Sequence, residues 1–171
     1  MVKKKNVIQK LEILIYVEKS KKFIFITLDD VLITTLSGKS YPNGIWDFKI
    51  NWQIWNVLKK INPKTIAILS TQPLIRKGFI KESSFYSKIN FISHSLSDYT
   101  GVLDIRTRYS ITDKWNLGIN GDGDDLVDSI ILQKDIKEDM IFIGKNNDKD
   151  YANKKGIKFI ERNELVKLTF L

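Results

Sequence analysis

The sequence predicts a three-layer α/β/α domain of the Rossmann-like type, built around a central, mostly parallel β-sheet. Two observations support this fold class. Short runs of apolar, β-branched and aromatic residues recur along the chain, and segments with helical spacing of apolar residues separate them. Continuously apolar strands that alternate with helices indicate a parallel sheet covered by helices on both faces. The 171 residues contain no repeat and no linker, and we predict one domain over 1–171.

The predicted strands are the apolar runs. The clearest of them reads Phe-Ile-Phe-Ile-Thr-Leu and stops at the pair Asp29-Asp30, which is typical of a buried strand followed by a turn. An earlier apolar run is predicted as a strand followed by a hairpin turn at 18–21. The predicted strands cover residues 11–17, 22–28, 65–70, 89–92, 140–144 and 157–160.

Helices are predicted between these runs. Trp52, Trp55 and Leu58 follow a helical spacing, and the helix should end at Asn62 because the residue before a proline disfavours helical geometry. The segment 118–125 is rich in Gly, Asn and Asp and is predicted as a loop. The predicted helices cover residues 52–61, 80–88, 126–132, 148–155 and 161–168.

The composition excludes several classes of site. The chain has no cysteine, which excludes disulfides, iron–sulfur clusters, cysteine-ligated zinc and thiol catalysis, and its single histidine, His94, excludes a multi-histidine metal centre. No apolar run approaches the roughly 18–20 residues that span a bilayer. We expect a soluble intracellular protein of the cytoplasm or nucleus with no membrane partner, and a viral or organellar origin stays open.

The net charge of +8 has two explanations that the sequence leaves open. A basic chain is compatible with nucleic acid as a partner. However, 24 of the 28 basic residues are lysine, whereas arginine is preferred for bidentate recognition of phosphates and bases. The chain also has 26 Ile and 12 Asn against two Ala, a mixture that A+T-rich codons produce. The charge therefore reflects a polyanionic partner, a low-GC genome, or both.

Several segments at the ends of the predicted strands resemble known motifs. Residues 25–42 read FITLDDVLITTLSGKSYP, and this segment resembles the first motif of haloacid dehalogenase-type phosphatases. It is most similar to the 3′-phosphatase domain of polynucleotide kinase/phosphatase, in which D-x-D-G-T-L-I precedes T-x-S-G-K-x-[FY]-P. Residues 43–48, 68–78, 142–144 and 150–159 resemble later motifs of that domain. The resemblance implies a phosphatase-like core over 22–165 and an N-terminal extension over 1–21.

The chemical positions of the motifs are only partly retained. The resemblance places Asp29 at the family's general acid/base and Ser70 at its phosphate-holding hydroxyl. Thr27 stands where the family has its nucleophilic Asp, Tyr109 where it has a phosphate-neutralising Lys, and Lys145 where it has a metal-binding Asp. A hydroxyl cannot form an aspartyl phosphate, and an ammonium repels Mg²⁺. We expect Lys145 to lie within salt-bridge reach of Asp29.

These departures favour a non-enzymatic protein with no metal and no cofactor. It would bind nucleic acid or take part in a larger assembly with a protein partner. The resemblance places Lys39, Trp46, Arg76 and Lys77 on the nucleic-acid side. The alternative is an active Mg²⁺-dependent polynucleotide 3′-phosphatase in DNA end repair. The chain contains no kinase P-loop motif, which excludes a polynucleotide 5′-kinase site from it. A purely structural reading of the pair Asp29-Asp30, as a turn cap after a strand, also stays open.

Overall fold

A computed structural model describes residues 23–40, 42–118 and 123–167 of the chain. Five parallel strands form a central sheet in the order β5-β4-β1-β6-β7. Helices cover both faces of the sheet, and the predicted three-layer α/β/α class is confirmed. The predicted strand at 11–17 and the hairpin turn at 18–21 lie outside the described residues.

The strands follow the apolar runs, with one two-stranded addition. A short antiparallel pair, β2 and β3, stands apart from the main sheet, and the loop between these two strands spans residues 35–48. The strands are β1 (Phe23–Thr27), β2 (Ile33–Thr34), β3 (Lys49–Ile50), β4 (Thr65–Thr71), β5 (Asp104–Ser110), β6 (Met140–Gly144) and β7 (Lys158–Glu161).

The helices connect these strands, as parallel pairing requires. Two short 3₁₀ helices, Lys137–Asp139 and Asn146–Asp148, flank β6. The α-helices are α1 (Trp52–Ile61), α2 (Pro73–Arg76), α3 (Glu82–Thr100), α4 (Leu126–Ile130), α5 (Lys149–Lys154) and α6 (Arg162–Lys167).

The core has two layers, one on each face of the sheet. Alternate residues of a strand point to opposite faces, so Ile24 and Ile26 pack on one side while Phe23 and Phe25 pack on the other. Helices α1, α3 and α6 bury apolar side chains against the first face. Helices α4 and α5 do so against the second. Strand β1 is buried along its whole length because it lies at the centre of the sheet.

One predicted strand is wrong. Residues 89–92 belong to α3, where Phe85, Ile89, Ile92 and Leu96 recur at helical spacing and are buried against the sheet. The third strand of this half of the sheet is β5, a partly exposed edge strand that pairs with β4 along seven residues. Its charged residues interrupt any apolar run, which is why the sequence pattern does not show it.

None of the helices in the described part of the chain combines the length and the hydrophobicity that a membrane span requires.

Candidate functional site

The candidate site is a cavity of about 230 Å³ at the carboxyl ends of the parallel strands. The chain moves from β1 to one side of the sheet and later returns to β6 on the other side. Such a switch point opens a crevice outside the carboxyl ends of the two strands, where open α/β sheets bind their ligands. The cavity is lined by the turn after β1, by the β2–β3 loop, by residues 71–74, by α3 and by Lys145.

Asp29 is held at the floor of this cavity by two side chains from β4 and the turn after it. Ser70 Oγ donates a hydrogen bond to Asp29 Oδ2 over 3.1 Å, and Gln72 Nε2 donates to the same oxygen over 2.6 Å. Gln72 Nε2 also donates to Ser70 Oγ over 2.8 Å. Burial raises the pKa of Asp29, and the charge of Lys88 and the two hydrogen bonds act against that rise. The predicted site residues Asp29 and Ser70 therefore lie in contact.

Thr27 lies behind this cavity and does not line it. Its side chain is 4 % exposed, and its hydroxyl donates to Asp148 Oδ2 over 3.4 Å. The same carboxylate oxygen accepts the backbone N–H of Lys145 over 2.8 Å. A Cβ on Gly144 would come within 2.5 Å of Asp148 Oδ2, so this close approach requires glycine. Burial raises the pKa of Asp148.

Lys145 extends from the end of β6 to the turn after β1. Its ammonium lies 2.9 Å from a carboxylate oxygen of Asp30, so the structure pairs Lys145 with Asp30 and not with Asp29 as predicted. The backbone conformation of Asp30 contributes to this choice of partner. Asp30 has a φ of 62°, and this left-handed geometry directs its side chain away from that of Asp29 toward the solvent-exposed rim.

Lys88 is a cavity residue that the sequence analysis missed. It lies on α3 with only 4 % of its surface exposed, and its Nζ lies 5.2 Å from the centre of the Phe48 ring. Burial lowers the pKa of Lys88, and the carboxylates of Asp29 and Asp47 act against that change. A signal was present, because Lys88 falls on the same helical face as the buried Phe85 and Ile92. The incorrect strand at 89–92 concealed it.

Tyr109 lies apart from Asp29. It stands beside Ser70 in the β4–β5 register, but its hydroxyl donates to Glu82 over 3.0 Å and its ring contacts Phe85. Burial and the neighbouring Glu82 carboxylate raise the pKa of Tyr109 to about 12. Tyr109 lines a second cavity together with Glu82 and Arg108. The structure therefore does not bring Tyr109 into the cavity of Asp29 and Lys88.

The β2–β3 loop forms one wall of the cavity and is organised by Asp47. This carboxylate accepts hydrogen bonds from the N–H and the hydroxyl of Ser37 and from the N–H of Asn43, and these bonds lower the pKa of Asp47 to about 2. Lys39 Nζ donates to the side chain of Asn43 over 3.0 Å. Trp46, from the same loop, is 57 % exposed and contacts the edge of the Phe91 ring.

The remaining predicted residues lie on the opposite rim. Arg76 ends α2, Lys77 follows it, and both are exposed. Their segment borders the cavity through Leu74 and Ile80. Lys39, Trp46, Arg76 and Lys77 are exposed and do not line the cavity, although residues close to them in sequence do, whereas Asp29 lines it and contacts the buried Ser70.

Comparison with solved structures finds eight chains with a similar fold, two of which are as follows. One is a protein from Mesorhizobium loti assigned as a HAD-like phosphatase, where HAD stands for haloacid dehalogenase. It is 15 % identical, with a TM-score of 0.56 over 86 % of this chain and 83 % of that one. This chain has a HAD-like fold. The second is the D,D-heptose 1,7-bisphosphate phosphatase of B. bronchiseptica in complex with magnesium and phosphate. It is 10 % identical, with a TM-score of 0.51 over 87 % of this chain and 98 % of that one.

The sequence itself gives no further assignment within the HAD-like fold. No protein-family model matches the chain, and no curated protein matches it. Over residues 23–40, 42–118 and 123–167, no group of three or more acidic, histidine or cysteine side chains is arranged to hold a metal ion.

Proposed function

We propose that this chain is a catalytically degenerate relative of the polynucleotide 3′-phosphatases that binds nucleic acid without hydrolysing it. The observation that carries the proposal is the pair of replacements at the ends of β1 and β6. A buried hydroxyl, Thr27, stands where the phosphatase motif has its nucleophile, and the ammonium of Lys145 stands where the motif has a metal ligand.

The surroundings of Thr27 support the loss of nucleophilic catalysis. A nucleophile must reach the phosphorus atom of the substrate. The Thr27 hydroxyl is instead buried and donates a hydrogen bond to Asp148. Activation would need a base facing the cavity beside it. Asp29, the retained acid/base position, is instead held by Ser70 and Gln72.

Magnesium, which the resemblance implies, does not fit the residues present. Mg²⁺ is bound through carboxylate and other oxygen ligands in near-octahedral geometry. At the two positions where the motif has carboxylate ligands, this chain has the hydroxyl of Thr27 and the ammonium of Lys145. The carboxylate next to both positions, Asp148, is buried and already accepts hydrogen bonds at Oδ2 from the Lys145 N–H and from Thr27, and Asp30 is paired with the Lys145 ammonium. We therefore assign no metal and no cofactor to the site.

Charge and exposed side chains support the nucleic-acid part of the proposal. The chain carries +8, and Lys39, Arg76 and Lys77 are exposed on two segments that also contribute residues to the cavity lining. Trp46 offers an exposed indole on which a base can stack. Contacts of this kind are mainly electrostatic, so affinity should fall steeply as salt displaces the protein from the phosphates.

Fluorescence anisotropy with a labelled single-stranded oligonucleotide tests the proposal. We expect binding at about 50 mM salt that weakens strongly toward about 200 mM. The double variant Arg76→Ala/Lys77→Ala should weaken binding, whereas Lys60→Met, which removes an exposed charge from α1, should change it less. Trp46→Ala should weaken binding more than Trp52→Ala, which removes another half-exposed indole. No binding at tens of micromolar protein would contradict the proposal and favour a protein partner in a larger assembly.

An active Mg²⁺-dependent 3′-phosphatase in DNA end repair is the second candidate. One observation favours it: Asp29 and Ser70 keep the acid/base and phosphate-holding positions, and they lie in contact at the cavity floor. A hydrolysis assay, described below, separates the two candidates.

A further inference from the structure

The Lys88 ammonium reaches into the cavity and donates no hydrogen bond to a described residue. The residue is only 4 % exposed, and its side chain lines the cavity. The carboxylates of Asp29 and Asp47 attract its charge, and its Nζ lies 5.2 Å from the centre of the Phe48 ring. An ammonium has three N–H donors, and those that face the cavity can be shared with a ligand that offers an acceptor.

A second unused group faces the same space. Asp29 Oδ2 accepts both the Ser70 and the Gln72 hydrogen bonds, and no described residue donates to Asp29 Oδ1. The cavity floor thus presents an acceptor from Asp29 and donors from Lys88. A ligand that satisfies both must carry a hydrogen-bond donor and an acceptor on one edge.

The charges that line the cavity disfavour a phosphate in it. Three carboxylates, Asp29, Asp30 and Asp47, face two ammonium groups, Lys88 and Lys145. The lining is therefore not net positive, and the Lys145 charge is already paired with Asp30. A doubly charged phosphate placed here would meet the field of the Asp29 carboxylate. A neutral ligand with a polar edge fits this lining better.

The walls favour a flat and apolar body. The volume of about 230 Å³ lies below the roughly 300–1,000 Å³ of cavities that take drug-sized ligands, so the ligand is small. Aromatic and aliphatic side chains form the walls above the polar floor. They are Ile33, Ile45, Phe48, Leu74, Ile80 and Phe85.

We propose that the cavity is a nucleobase-binding pocket that takes an unpaired terminal base, and not the phosphate, of a bound strand. Lys88 donates to a ring nitrogen or carbonyl oxygen on the base edge, and Asp29 Oδ1 accepts from the neighbouring N–H. The ring faces contact the apolar walls. This inference rests on the proposed function for the choice of a nucleobase, while the pocket itself rests on Lys88 and Asp29.

Terminal abasic oligonucleotides test the pocket separately from backbone binding. Anisotropy is measured with four labelled single strands of equal length, carrying either a normal or an abasic nucleotide at the 3′ end, each with a 3′-hydroxyl or a 3′-phosphate. We expect the abasic end to weaken binding about tenfold, a loss in the range of one stacked and hydrogen-bonded base. The 3′-phosphate should not strengthen binding.

The variant Lys88→Met completes a double-mutant cycle with the abasic strand. It should bind the normal strand as weakly as the wild type binds the abasic strand, and it should bind the abasic strand as the wild type does. This second measurement also shows that the variant is folded. Asp29→Asn should give a smaller loss in the same direction, and Lys60→Met should give none.

Each outcome of this experiment has a separate meaning. Equal affinity for normal and abasic ends, or a gain from the 3′-phosphate that Lys88→Met abolishes, overturns the pocket and leaves nucleic-acid binding intact. If no strand binds, the proposed function fails. The pocket is then tested with free adenosine and with purine riboside, which lacks the exocyclic donor, by calorimetry. A preference for adenosine that Asp29→Asn reduces, together with weaker binding of both nucleosides to Lys88→Met, would support the pocket. No binding of either nucleoside would overturn it.

Discussion

The ammonium of Lys145 lies 2.9 Å from the carboxylate of Asp30, linking the turn after β6 to the turn after β1. Both side chains are partly exposed, so the ion pair contributes only about 0–1 kcal/mol to stability. Its importance is positional. The pair places a fixed positive charge at the switch point of the sheet, where the resemblance to phosphatases would place a metal ligand.

We expect no hydrolysis of a 3′-phosphorylated oligonucleotide by the wild-type protein, even with excess Mg²⁺. The resemblance places a buried hydroxyl, Thr27, at the nucleophile position and the Lys145 ammonium at the metal position. Restored activity should require Thr27→Asp and Lys145→Asp together, because nucleophile and metal act as a unit. Either substitution alone should restore no activity. Thr27→Asp alone also places a second buried carboxylate beside that of Asp148, and two such charges repel each other.

Phosphate release by wild type and by Asp29→Asn is the control for that prediction. Asp29→Asn removes the retained acid/base position but keeps an acceptor for Ser70 and Gln72. Turnover in the wild type that Asp29→Asn abolishes would overturn the degenerate assignment and support the repair phosphatase. Release that persists at the same level in Asp29→Asn would indicate a contaminating phosphatase.

The stability of Asp148→Asn relative to the wild type should increase as pH rises from 4 to 7. Burial raises the folded-state pKa of Asp148 above its usual 3.8, so the folded protein favours the neutral carboxyl. That contribution is fully present below pH 3.8 and is lost as pH rises through the folded-state pKa. Asparagine stays neutral and still accepts the hydrogen bonds of Lys145 and Thr27. Thermal denaturation across this pH range measures the difference.

Asp98→Asn, at an exposed position on α3, is the matched control for that series. Its melting temperature should follow that of the wild type at every pH. A constant or falling difference between Asp148→Asn and the wild type would show that Asp148 is not held at a raised pKa.

Tyr109 should ionise near pH 12, later than an ordinary tyrosine at 10.0. Burial disfavours the phenolate, and the Glu82 carboxylate, 3.0 Å from the phenol oxygen, disfavours it further. Neutral Tyr109 therefore contributes stability that is lost as pH rises from about 10 through 12. Difference absorbance titration of wild type against Tyr109→Phe should isolate this phenol. Glu82→Gln should lower the Tyr109 pKa, whereas Glu138→Gln, at an exposed site, should leave it unchanged.

Arg106→Met should destabilise the fold by about 1–3 kcal/mol, between the loss for an exposed ion pair and that for a buried one, because the network is only partly buried. The Arg106 guanidinium lies 2.7 Å from Asp104 and 2.6 Å from Asp135, and its side chain is only 12 % exposed. Urea denaturation gives the free energy of unfolding. Arg108→Met, two residues along the same strand at an exposed position, should cost less than about 0.5 kcal/mol. Equal losses for the two variants would contradict a structural role for the Arg106 network.

The sequence predicted four of the five strands of the main sheet and missed the edge strand β5. Strands β1, β4 and β6 are buried on both faces, so their sequences are continuously apolar and recognisable. Strand β5 lies at the edge, where Asp104, Arg106 and Arg108 can reach solvent or each other. Its pattern therefore resembles that of a loop.

Site residues that directly follow a strand could be predicted from the sequence, whereas the site residue on a helix could not. Asp29, Ser70 and Lys145 come immediately after apolar runs, and all three line or support the cavity. Lys88 enters from α3, about sixty residues after Asp29, and only the packing of that helix brings it to the cavity. The partner of Lys145 depends on the backbone angle of Asp30, which a residue pattern does not specify.

The central position of β1 has a consequence for synthesis. Phe23 of β1 pairs with Thr65 of β4 on one side and with Met140 of β6 on the other, more than a hundred residues later. While the ribosome makes the chain, one edge of this mostly apolar strand stays unpaired until β6 has emerged. Closing so distant a contact is slow, and an unpaired apolar edge favours association between chains. Nascent chains shorter than about 144 residues should therefore need a chaperone to remain unaggregated.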